Sequence, residues 1–96
     1  MTAFKDPSIT TVASDNANPD LLQPITEATA RELVNTGAVR SVQVLRHGDA
    51  WAAVIRVGLR DRVIRSQRER VRTWRSLDTV ANWVVDLGAN GFVVTF

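Results

Sequence analysis

The chain of 96 residues has no cysteine, no tyrosine, one histidine and one lysine. Without cysteine there is no disulfide framework, no thiol nucleophile and no thiolate-ligated zinc. His47 is the sole imidazole, so no two-histidine metal site forms within one chain, and its place before a turn glycine is that of a solvated loop histidine. No run of 18 apolar residues is present, which excludes a membrane-spanning helix. The N-terminus shows no basic stretch followed by an apolar one, so a secretory signal is not expected and a cytoplasmic location is. No GxGxxG, GxxxxGK[ST] or GxSxG spacing occurs. In the stretch from Leu77 to Leu87 the two carboxylates, Asp78 and Asp86, stand eight positions apart and do not pair on one helical face. These absences point away from an enzyme and from any cofactor or metal.

What the chain does have is arginine. Of twelve Lys and Arg residues, eleven are arginine, against ten acidic residues, for a formal net charge of +2. Arginine stays charged far above neutral pH, and little else titrates in that range. The pI of about 10.4 therefore overstates the basicity at pH 7. The distribution matters more than the net value. Residues 1–36 hold two basic residues against five acidic ones. Residues 40–75 hold ten arginines against Asp49, Asp61 and Glu69, a surplus of seven. Arginine offers a planar fork that matches phosphate or carboxylate.

Residues 1–24 read as a disordered arm. They contain all three prolines (Pro7, Pro19 and Pro24), are rich in Asp, Asn, Ser and Thr, and show no apolar period. A single α+β domain is expected over 25–96. A helix is predicted near 26–36, capped by Thr26, with Ala30, Leu33 and Val34 on one stripe and Gly37 at its end. Residues 39–46 and 50–58 alternate as strands around His47-Gly48-Asp49 and predict an antiparallel hairpin. Within it Trp51, Ala53, Ile55 and Val57 share one face. Residues 59–75 fit either a basic helix or two strands, about 59–65 and 70–75; the polar Ser66–Glu69 break favours the strands. Trp74 is expected in the core, and Trp83 at a boundary or a dimer contact. A second helix spans Leu77 to Leu87, with Ser76 as cap and Gly88 as terminator, and 92–96 closes as a strand. The expected order is αββββαβ, with an antiparallel sheet of four to five strands and two helices packed on one face.

The basic block supplies the candidate site: Arg56, Arg60, Arg62, Arg65, Arg68, Arg70, Arg72 and Arg75 as binders of nucleic acid or another anion. Alternation over 70–75 places Arg70, Arg72 and Trp74 on one face, the arrangement of a backbone-binding surface with a stacking ring. A double-stranded-RNA-binding domain is excluded, since its second helix needs basic residues and Leu77 to Leu87 has none. The other readings are a protein-interaction module, dimeric or docking on an acidic protein, and a domain whose arginines only solvate its surface. The acidic arm is also placed to mask the basic block.

The stretch from Arg70 to Gly88 (RVRTWRSLDTVANWVVDLG), followed by Gly91-Phe92-Val93-Val94, resembles the small ParC-type partition-associated proteins of plasmids and integrated mobile elements. The resemblance covers residues 25–96. It implies an accessory role in maintaining a mobile element through contacts with DNA or with other proteins.

Overall fold

Two side-chain caps set the helices. Thr26 Oγ1 accepts from the Thr29 amide at 3.2 Å and starts α1, Glu27–Asn35. Ser76 Oγ accepts from the Thr79 amide at 3.2 Å and starts α2, Leu77–Leu87. Each satisfies an amide that the first helical turn leaves without an internal partner. Gly37, at φ +77°, and Gly88, at φ +102°, take the left-handed conformation just past the helix ends. The structure is a computed structural model and describes residues 18–96.

Around the helices, among the described residues, run five strands: β1 (Gln23–Ile25), β2 (Val39–His47), β3 (Ala50–Val57), β4 (Arg60–Ile64) and β5 (Val93–Thr95). The β2–β3 hairpin forms as the alternation predicts, from Val39↔Val57 to His47↔Ala50. The sheet order is β1-β4-β3-β2-β5. β3 pairs antiparallel with β2 and β4, whereas β1 is parallel to β4 and β5 is parallel to β2. The sheet is therefore mixed, not antiparallel as expected. Each helix reverses the chain, so the strand after it resumes the direction of the strand before it. β3 runs against the other four.

The element order βαβββαβ corrects the expected αββββαβ at two places. The first is β1, which falls across the boundary drawn at residue 25. Pro24 hides it in the sequence, but at a sheet edge a residue without an amide N–H is tolerated. The described fold begins earlier still, with a 3-10 turn at Pro19–Leu21 that buries Pro19. Of the expected arm, residues 1–17 lie outside the described residues, as does any masking of the basic block by them. The second correction is 70–75, which forms no strand. After Ile64 the chain leaves the sheet through a turn in which Ser66 Oγ accepts from the Glu69 amide at 2.9 Å. It rejoins at one bridge, where the Trp51 and Trp74 amides and carbonyls exchange bonds of 2.8 and 2.9 Å.

Both sheet faces are buried. The main core lies under the helices and joins Val44, Trp51, Ile55 and Ile64 to Val80, Val84 and Leu87. On the opposite face Leu45, Ala52, Val54 and Val63 pack with Val71 and the half-buried Leu22. The excursion after β4 and the segment before β1 thus roof the face that carries no helix. Trp51 and Trp74 are core residues, as expected. Trp83 is buried too, rather than at a boundary, its ring centroid 4.9 Å from that of Trp74.

Ile55 is fully buried and Leu59 is 88% exposed. Ile55→Ala should lower unfolding free energy by about 2–5 kcal/mol, read from denaturant midpoints, because apolar surface returns to water and a cavity is left behind. Leu59→Ala should change it by less than about 0.5 kcal/mol.

Candidate anion-binding surface

The expected basic surface depended on arginines alternating along strands, and the structure divides them. On β4, Arg60 and Arg62 share the helix-side face with Ile64, while Asp61 points to the other face. Arg56 lies on that other face and its Nε is 3.9 Å from Asp61 Oδ1. Arg65 is half-buried at the end of β4, its Nε donating to Ser66 O at 3.0 Å. Arg68 is exposed in the following turn. Arg70 is exposed and donates to Leu22 O at 2.9 Å, tying the excursion to the segment before β1. Arg75 stands apart, beside His47, Asp49 and Thr73. No one sheet face holds all eight arginines.

Arg72 has a different surrounding. Its Nη1 is 2.8 Å from Glu27 Oε1, and its guanidinium carbon lies 4.6 Å from the Trp74 ring centre and 5.9 Å from that of Trp83. A guanidinium held over indole faces gains cation–π attraction as well as apolar contact along its stem. Glu27 is the hub of this cluster. Its Oε2 also receives Arg31 Nη2 at 2.9 Å, and Arg31 Nη1 continues to the Asp86 carbonyl at 2.8 Å, capping the C-terminal end of α2. Arg31 holds the Glu27 carboxyl below its ordinary value, with the Trp83 indole N–H and Arg72 acting in the same direction against partial desolvation. Trp83 Nε1 is buried with no partner at hydrogen-bond geometry.

The Glu27–Arg31 pair has a signal in the sequence, the i,i+4 spacing on a predicted helix. The Arg72 contact, 45 positions away, has none. The net effect is a sorting of the basic block. Arg72 and Arg56 face carboxylates. Arg60, Arg62, Arg65, Arg68, Arg70 and Arg75 have no acidic partner within 4.0 Å among the described residues. Five of these six follow one another along β4 and the excursion that leaves it, where the acidic residues are Asp61, turned to Arg56, and Glu69.

The sequence model of the ParC-like family matches residues 25–96, three quarters of the chain. The chain belongs to the ParC-like family. The match starts at Ile25, the last residue of β1, so the family region takes in both helices, the hairpin, β4, the arginine excursion and β5. No curated protein and no solved structure matches the chain. Among the described residues no helix of this ParC-like protein is long and apolar enough to cross a membrane.

Glu27 gives the ParC-like fold an acid-sensitive contact. Because the folded-state carboxyl is depressed below 4.5, its contribution is present above that value and disappears as pH falls through the folded one. Glu27→Gln should therefore be less stable than the native chain at pH 7. The gap in denaturant midpoint should narrow steadily below pH 4.5, and a gap constant down to acid pH would show that the charge contributes nothing.

Proposed function

We propose that this ParC-like protein is a non-enzymatic accessory factor of plasmid or mobile-element partition that contacts DNA phosphates. The contact surface is β4 and the excursion after it, a narrower surface than the whole set of eight arginines. The supporting observation is the run Arg60, Arg62, Arg65, Arg68 and Arg70, none with a carboxylate partner among the described residues. A guanidinium already neutralised by a carboxylate has less to gain from phosphate, so Arg72 and Arg56 are assigned to the fold. Arg75 is a peripheral contact. Family membership supports the partition role, and the guanidinium groups with no carboxylate partner among the described residues support phosphate as the ligand. Binding of this kind is largely independent of sequence, because phosphate contacts carry no base information.

A second reading has its own support. Among the described residues the outer strands β1 and β5 each pair on one side only, and near β5 Val93 is 63% and Phe96 88% exposed. An open edge with exposed apolar side chains suits pairing with a protein, including a second copy of the chain.

A salt-dependent titration with duplex DNA, run beside a mass measurement in solution, separates the two. The DNA reading expects log affinity to fall linearly with log salt. The combined variant Arg65→Glu, Arg68→Glu, Arg70→Glu should weaken binding by at least about tenfold. It should also flatten that slope by roughly 0.9 for each phosphate that the variant no longer neutralises. Arg40→Glu should leave DNA affinity unchanged. A flat salt response with a dimeric mass would favour the edge reading instead.

A further inference from the structure

β2 has nine residues and its neighbour β5 has three. Their ladder runs only from Gln43↔Val93 to Leu45↔Thr95. Among the described residues, 39–42 of β2 therefore have no register partner on that side. There the two chain segments diverge, and a crevice of about 530 Å³ opens between β2, residues 88–93 and the C-terminal end of α1. Val34, Val39, Val42 and Phe92 supply apolar lining.

The register on the other side of β2 explains the charge in the crevice. Val39 pairs with Val57 and Ser41 with Arg56, so two residues of β2 stand against one of β3, and Arg40 is the extra one. Such a bulge breaks strict alternation and re-aims a side chain. Here it keeps Val39 and Val42 both against the main core and leaves Arg40 exposed on the crevice wall. Arg40 has no carboxylate within 4.0 Å among the described residues. Val93, 63% exposed, stands on the opposite wall.

We propose that this crevice is a docking site for an extended acidic segment of a partner protein. The segment adds to this stretch of β2, places an apolar side chain against the half-buried Val39 and Phe92, and sets a carboxylate against Arg40. Strand addition takes its affinity from main-chain bonds and its selectivity from alternate side chains. The apolar lining and the cation Arg40 favour such a segment over a phosphate backbone, which needs several cations. The site is separate from the arginines of β4 and the excursion, and the inference does not rest on their binding DNA.

The test is a titration of the full-length chain with two short, terminally blocked peptides, one alternating Val and Asp and the other alternating Val and Lys, followed by amide chemical shifts. The Asp peptide is expected to shift the amides of 39–42 and 89–93 and to bind at least about tenfold more tightly than the Lys peptide, a difference of about 1.4 kcal/mol. Arg40→Glu, a change at an exposed position, should invert that order while the spectrum keeps its dispersion. Equal affinities, shifts confined to 65–75, or no shift at millimolar peptide would each overturn the proposal. So would a short DNA duplex that shifts the crevice amides in place of those of β4. The duplex titration reads the proposed DNA surface separately, so failure of either idea leaves a distinct record.

Discussion

Burial of β3 on both faces is the constraint from which the other elements take their positions. Trp51, Ala53 and Ile55 point under the helices, and Ala52 and Val54 point the opposite way into the second cluster. A strand with apolar residues on both faces must be covered on both. α1 and α2 cover one. The other is covered by parts of the chain with no regular structure, through Leu22 on one side and Val71 on the other. The excursion after β4 is thus a packing element, and the bridge from Trp51 to Trp74 is where it is fastened.

That fastening also explains why the arginines divide. Trp74 and Trp83 form a shared indole surface beneath the start of α1, and Arg72 lies over it with Glu27 at its other end. The pair is partly exposed, so solvent screens much of its attraction. Its geometric role is larger: Arg72 closes the excursion against α1, and through Glu27 and Arg31 it is linked to the end of α2. Arg72 of the basic block is paired to a carboxylate across the fold, while Arg68 and Arg70 beside it are exposed. Reading the block as a uniform charged surface overlooks this, because charge counts carry no information about which guanidinium is already occupied.

The elements legible in the sequence were those whose signals are local. Thr26 and Ser76 as caps, Gly37 and Gly88 as terminators, and the hairpin around Gly48 all stand where the pattern puts them, since a cap or a turn depends on residues within four positions. The alternation of Trp51, Ala53 and Ile55 likewise identified the face beneath the helices. β1 was not legible. Gln23-Pro24-Ile25 is too short and too polar to read as a strand, and it exists because β4 offers an edge. Residues 70–75 have the alternation of a strand and do not form one. On that side of β3, β4 pairs with Val54 to Val57, and of the residues before them Trp51 is bridged to the segment, at Trp74. For the candidate site, the residue types and their concentration were visible. Their partners were not, since Glu27 and Arg72 are 45 positions apart.

The sequence by itself determined the composition of the chemistry: an arginine-rich chain with one imidazole and no thiol, two capped helices, a hairpin, and the ParC-type pattern from Arg70 to Val94. The tertiary structure decided strand direction, the covering of the second sheet face, the bulge that turns Arg40 outward, and which arginines meet a carboxylate among the described residues. Caps, turns and alternation are set by contacts between near neighbours in the chain. Strand order and ion-pair choice are set by which distant segments compete for the same apolar surface, and only the folded chain resolves that competition.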